Sequence, residues 1–599
     1  MRTRAIVALM LAGAAAVAYG QAPQNPPGQT AGTGQITGRV IDGATRAPIP
    51  RAVVSLNGRG QQRALVDQDG RFMFGSLPPG VFSLAAAHAG YFGSGSTRRD
   101  PSPVARIVDL ADGQRAENLT LSLWKLGAIA GTVTADGDAM VGVEVRALRR
   151  TLLAGRWLLG GGATTMTDDR GRYRVAGLAP GDYAVVARPD RDPEMPLLVN
   201  LLTATPTSSA DVMAAASARG RGVPERDDRV RTYATTFFRD AASSSTATLV
   251  SIDAGIDRSG IDIRVKAAKG ARVSGALSGL NGPAEGLTVR LVPADSTLES
   301  DPLEIAEAAC DGDGRFEFSN IASGKFVLTL LSRPLVPGPP PGGRPDGPGL
   351  PPPLPSDPTW WARVPVTVGS ADVRGLAVPV RQGSTLSGRI EFVGHAALPS
   401  PNEVALIAPR LESADAPPAA GAPPWRGLVS PDGRFTTMGV PPGRYFVRVA
   451  NPPRGWTLVA AHVGALDAID VPVGIQSAPV ANVVLTFVDH PLSGFTGTVT
   501  DAAGAPVADA VVLVFPAIRA AGLDTLGQTR RFRLAHSATN GAFTIGGLAD
   551  GRYLAIALPE SPAIDWQDPK RLDALAPRAS AVDVATGPPQ SVTLTVTRK

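Results

Sequence analysis

A pair of glycines ten residues apart recurs five times along this 599-residue chain, and no other feature constrains its fold as strongly. The pairs are Gly70/Gly80, Gly171/Gly181, Gly314/Gly324, Gly433/Gly443 and Gly541/Gly551. Two positions after each first glycine stands an aromatic residue: Phe72, Tyr173, Phe316, Phe435 and Phe543. Two positions after each second glycine stands another: Phe82, Tyr183, Phe326, Tyr445 and Tyr553. Residues two apart share one face of a strand, so each copy aims a pair of rings at one core. In four copies the first turn is Asp-Gly or Asn-Gly, which takes positive φ most readily and predicts a hairpin starting there. The second turn is often Pro-Gly, where Pro fixes φ and Gly supplies the left-handed position.

Further strands frame each copy. A short strand built around a glycine opens it, at 36–40, 129–133, 273–277, 386–390 and 495–499, and another closes it, at 119–123, 261–265, 376–380, 483–488 and 592–596. Runs such as 52–56 and 510–514 add a strand between. Gly (67) and Pro (55) make up about a fifth of the chain, which argues against long helices. A hydrophobic share of 44% still lets each unit bury a core. The expectation is all-β: a tandem array of five β-sandwich modules at 35–123, 127–267, 270–380, 383–489 and 492–599. Module two carries an insertion near 190–232, and module three a loop at 334–358 with 12 prolines in 25 residues, a composition favouring extended polyproline II. Links of a few residues predict a curved, semi-rigid chain.

Arg2 and Arg4 precede an apolar run from Ala5 to Ala18, with small residues at Ala18 and Gly20, the layout of a secretory signal peptide over 1–20 followed by a linker at 21–34. The run is shorter than the roughly 20 residues of a spanning helix, so no membrane span is expected after cleavage. The expected location is periplasmic or extracellular. Cys310 is the only cysteine, so no internal disulfide forms, and a small, partly buried residue is expected there. The net charge of +5 is spread out, which gives nucleic-acid binding no electrostatic footprint.

The Gly-x-Val strand, the later Asp-x-x-Gly-x-Phe hairpin and the Leu-x-x-Gly-x-Tyr strand together resemble the carboxypeptidase regulatory-like domain, a transthyretin-like sandwich within the starch-binding-like folds. The resemblance implies a non-catalytic module, because that domain is not the zinc-bearing part of carboxypeptidases. The residues agree. None of His88, His395, His462, His490 and His536 has a Glu at zinc-pair spacing. Ser122-Leu123-Trp124-Lys125 matches a Ser-x-x-Lys motif but falls in an expected strand, where residues three apart point to opposite faces. The loops Asp67–Gly70 and Asp311–Gly314 supply too few oxygens for calcium. No catalytic residue, cofactor or metal is therefore expected.

Four tryptophans, Trp157, Trp360, Trp361 and Trp425, lie outside the repeated pattern, and the expectation places them in insertions. Exposed rings there would stack on sugars; buried ones would anchor loops. Trp360 and Trp361 are the named carbohydrate-contact candidates. The reading is a non-catalytic exported binding or scaffolding protein with a polysaccharide or cell-envelope protein as partner, and carbohydrate the best-motivated ligand class. Its rivals are an accessory partner of an outer-membrane or peptidase system, and a hydrolase with a site between modules. The sequence leaves the oligomeric state open.

Overall fold

The computed structural model describes residues 32–58, 60–92, 106–153, 156–189, 231–280, 282–294, 303, 305–334, 351–415, 424–517, 529–559, 568–587 and 590–596. The expected signal segment, nearly all of the 190–232 insertion and positions 335–350 of the Pro-rich loop lie outside the described residues. Strands dominate the described residues and the few helices are short.

In the first copy of the repeat, the opening strand Gly34–Asp42 runs between two partners. It pairs antiparallel with Arg71–Leu77 and parallel with the closing strand Arg115–Lys125. The same arrangement recurs around Gly127–Ala135, Ala271–Ser278, Leu386–Val393 and Ser493–Thr500. The glycine at the centre of each opening strand has one physical cause. A Cβ on Gly38, Gly131, Gly275, Gly388 or Gly497 would stand 2.2, 2.1, 2.2, 1.8 or 2.1 Å from a carbonyl oxygen of the chain alongside it: Leu119, Ile261, Leu376, Val483 or Val592. Only a residue without a side chain admits a backbone that near.

A second layer faces the first. Val53–Asn57 pairs antiparallel with Gly80–Ala87. Its later counterparts pair Glu144–Leu153 with Gly181–Arg188, Thr288–Pro293 with Gly324–Ser332, Ala408–Ser413 with Gly443–Ala450, and Val511–Pro516 with Gly551–Leu558. The apolar side chains of the repeat meet between the layers: Phe72 and Phe74 from one, Phe82 and Leu84 from the other.

In the first copy the expected hairpin does not form. Arg71–Leu77 and Gly80–Ala87 lie in different sheets, so the Pro79-Gly80 turn carries the chain across the sandwich. Period-two alternation reads the same in either case, because both strands point their apolar side at the same core. In the fourth copy the two layers are joined: Trp425–Val429 pairs with both Ala408–Ser413 and Arg434–Thr437, giving one nine-stranded path. The fifth copy gains an extra cover. Asp568 caps the helix Pro569–Leu575, which lays Leu572 and Leu575 on Leu513, Phe515 and Ile556.

Side chains cross every junction between copies. Arg149 lies over the Phe92 ring from the first copy at 5.9 Å. Leu303 enters the outer face of the second copy beside Leu148, Ala184, Val186 and Phe237. Arg333 stacks on Trp425 at 3.7 Å, and Arg426 donates to the carbonyls of Pro352 and Pro353 at 2.9 and 2.7 Å. Arg530 engages Asp467 and Asp470. Finally Arg106 of the first copy reaches Asp509 of the fifth at 2.6 Å and the Ser537 carbonyl at 3.0 Å. The first and last copies are thereby in contact, and adjacency in sequence carries no sign of a contact between residues 403 apart.

Candidate binding face

The predicted turns are occupied by their own chemistry. Asp67 Oδ1 accepts the backbone N–H groups of Asp69 and Arg71 at 3.0 and 2.7 Å, and Asp168 and Asp311 hold the same two positions of their turns. Those hydrogen bonds, that from Arg172 foremost, hold the Asp168 carboxyl below the usual carboxylate range. Their oxygens stabilise a tight turn. Among the described residues no group of three or more His, Cys, Asp and Glu side chains is placed to hold a metal ion. Cys310 is buried in the core of the third copy, where burial, with Asp311 adding to it, pushes its thiol up to about 11.

The four tryptophans separate. Trp360 and Trp361 begin the strand Trp360–Val368, inside a five-stranded sheet instead of an insertion. Trp360 is half-buried and packs against the core of the third copy. Trp361, also half-buried, donates its indole N–H to the Gln382 carbonyl at 3.2 Å. Trp425 is 3% exposed, within the core of the fourth copy. Trp157 differs: it is 41% exposed. It sits near the tip of the long hairpin formed by Glu144–Leu153 and Arg156–Met166.

Around Trp157 the sheet assembles a polar group that no local motif announces. Arg150 lies over the Trp157 ring, its Cζ 3.9 Å from the centroid. Its Nη1 is also 3.9 Å from Asp182 Oδ2. Asp182 in turn accepts from Ser251 Oγ at 2.6 Å. These residues come from four strands and span 101 positions (251 − 150) of sequence. Register brings them together: Arg150 faces Leu159, Leu152 faces Trp157, and Asp182 faces Ser251. Elsewhere, the first copy carries an open groove of about 850 Å³ beside Arg39, Asp67 and Arg71, with the exposed apolar side chains Leu65 and Met73 on its wall.

Residues 35–122 match the model of the carboxypeptidase regulatory-like domain. No curated protein matches the chain. Among solved structures, it is similar to the minor pilin GBS52 of Streptococcus agalactiae, at 16% identity over 39% of this chain and 97% of that one, with a TM-score of 0.21. It is similar to the major pilin subunit BcpA of Bacillus cereus at 10% identity, over 79% and 99% of the two chains, with a TM-score of 0.12. The TIE protein of Bacillus anthracis matches at 11% identity over 58% of this chain and 51% of that one, with a TM-score of 0.16.

Proposed function

We propose that this chain, whose first copy of the repeat is a carboxypeptidase regulatory-like domain, is a non-catalytic exported scaffold: five β-sandwich modules held as one closed body that presents binding surfaces at fixed spacings. The module bounds are those read from the repeat, and a signal peptide over 1–20 directs the chain to the periplasm or the outside. The observation that carries the reading is the set of side-chain contacts across every junction, completed by Arg106 and Asp509 between the first and last copies. A chain of beads on flexible links would not bury an ion pair between its ends. The side chains of Arg106 and Asp509 are only 7% and 19% exposed. Small-angle scattering of residues 23–599 tests this. A compact, single-conformation profile is expected, and an extended, heterogeneous one overturns the closed scaffold.

Carbohydrate remains the ligand class that one specific observation favours. Trp157 keeps a large part of its ring in solvent while Trp360, Trp361 and Trp425 are partly or wholly packed. Screening the same protein against immobilised polysaccharides checks this second reading: saturable binding to at least one polymer is expected, and none to any removes carbohydrate as the ligand class.

A further inference from the structure

The outer face of the second copy's larger sheet changes character along its strands. Its first part is apolar: Leu148, Ala184, Val186 and Phe237 pack together and are covered by Leu303 from the third copy. One step further along the same strands, with the same parity and so on the same face, stand Arg150 and Asp182. Ser251 and Trp157 join them through cross-strand register. The apolar part needed a cover and has one. The adjoining part is polar, and Trp157 beside it stays open to solvent.

The geometry points to a binding site for neutral pyranose residues on this open part, with Trp157 as its platform and Arg150, Asp182 and Ser251 as its polar edge. This inference rests on the carbohydrate reading above and locates it. Three observations carry it. First, Trp157 is 41% exposed with Arg150 over one face of its ring, and the uncovered part is apolar surface on which the C–H face of a sugar ring can stack. Second, Arg150 lies between the Trp157 ring and Asp182, 3.9 Å from each, and Ser251 Oγ donates to Asp182 at 2.6 Å. A guanidinium donor beside a carboxylate acceptor suits vicinal hydroxyls, which give one hydrogen bond and take another. Third, the charges of Arg150 and Asp182 cancel, so the edge favours an uncharged sugar over a uronate.

The hairpin is also built to hold its tip. Its register shifts between Leu148 and Arg149, opposite Gly160 and Gly162. A Cβ on Gly162 would stand 2.1 Å from the Ala147 carbonyl oxygen. Bulges of this kind bend a strand and re-aim what lies beyond. Just past the bend, Arg149 ties the hairpin down by donating to the Pro180 carbonyl at 3.1 Å, on the face opposite Arg150.

The test is titration calorimetry of residues 23–599 with cellohexaose, laminarihexaose and maltohexaose, and with a hexamer of galacturonic acid as the anionic contrast. The expected result is binding of at least one neutral hexamer, weakened at least tenfold by Trp157→Ala and severalfold by Asp182→Asn. The Trp360→Ala/Trp361→Ala double variant should stay within twofold of the parent. Circular dichroism and melting confirm that each variant folds, and Asp182→Asn keeps the test alive if the indole proves structural. Neutral-sugar binding unchanged in Trp157→Ala overturns the site and leaves the carbohydrate reading standing. Binding of the galacturonate alone overturns the neutral-sugar assignment. No binding by any hexamer, with none in the polysaccharide screen, overturns both.

Discussion

Two of the junctions use the same chemistry to different ends. Between the fourth and fifth copies, Asp470 is buried to 3% exposure and accepts from the Arg530 backbone at 3.1 Å, from Arg530 Nε at 3.0 Å and from Arg531 Nε at 3.0 Å. Arg530 also reaches Asp467 and the Val459 carbonyl, both at 2.5 Å. Between the fifth and first copies the described side chains make one ion pair and one carbonyl contact, both through Arg106. The strands that meet there, Arg106–Leu110 and Arg533–His536, are each the edge of their own sheet. The first contact joins neighbours in sequence and is a network. The second joins the ends of the array and rests, among the described side chains, on Arg106 alone. One pair suffices at the ends because the other junctions have already fixed where those ends lie, which lowers the entropy that closure must overcome.

That reasoning makes the two contacts unequal and coupled. Replacing Asp470 with Ala leaves two arginines facing a dry interface without their shared acceptor, a loss of about 3–5 kcal/mol for a broken buried pair. Denaturant unfolding should show this as the largest effect. Paired spin labels on the first and fifth copies should also report a broader distance distribution, since loosening one junction undoes the alignment of the ends. An unchanged distribution in Asp470→Ala would mean that closure does not depend on the chain of junctions.

Arg106→Ala is the converse experiment. It removes a charge-assisted contact of about 1.5–3 kcal/mol at the closing point alone. Label distances should widen while the main melting transition moves by only a few degrees, because no core residue changes. Acid should mimic it in part. His536 sits beside this contact, and burial, with Arg106 adding to the push and Asp509 opposing it, takes its imidazole down to about 4. An exposed histidine titrates near ~6.5. The closed state therefore holds fewer protons than the open one between these values, and it loses stability as the pH falls through that window. Closure should be at full strength above about pH 6.5 and weakest near pH 4. His536→Gln should flatten the part of the profile above pH 4; a profile unchanged by that substitution assigns the acid effect to other groups.

What the sequence revealed and concealed follows from the range of each interaction. The aromatic pairs and their glycines are local, so Phe72, Phe82 and their counterparts could be placed on a common core from spacing alone. The strand glycines were visible as a pattern, but their cause, a carbonyl of the parallel closing strand about 2 Å from any Cβ, belongs to the pairing. The Asp-Gly signal marks a turn in every copy that carries it, but only Asp432-Gly433 of the fourth copy closes a hairpin, since alternation does not say which sheet the next strand joins. Trp360 and Trp361 looked like loop residues because no repeat position matched them, yet they extend a sheet. Arg150, Asp182 and Ser251 each look ordinary where they stand, and only register makes them a group. Arg106 and Asp509 carry no local signal at all.

The smallest expected effect separates contacts between copies from those within one. Three of the five residues at the second aromatic position are tyrosines, and each donates its hydroxyl to the carbonyl four residues earlier: Tyr183 to Ala179 at 2.6 Å, Tyr445 to Pro441 at 2.8 Å and Tyr553 to Ala549 at 2.6 Å. The bond ties the crossing turn to the start of the next strand. Phe82 and Phe326 fill the same position without it, so the ring alone sets the register and the hydroxyl adds to it. Tyr553→Phe should therefore cost only about 1 kcal/mol, the net worth of one buried hydrogen bond. It should leave the label distances between the first and fifth copies unchanged, although Tyr553 lies near the Asp470 network and feels its charges. A cost of several kcal/mol, or a widened distance, would show that the turn inside the fifth copy and the junction beside it act as a single unit.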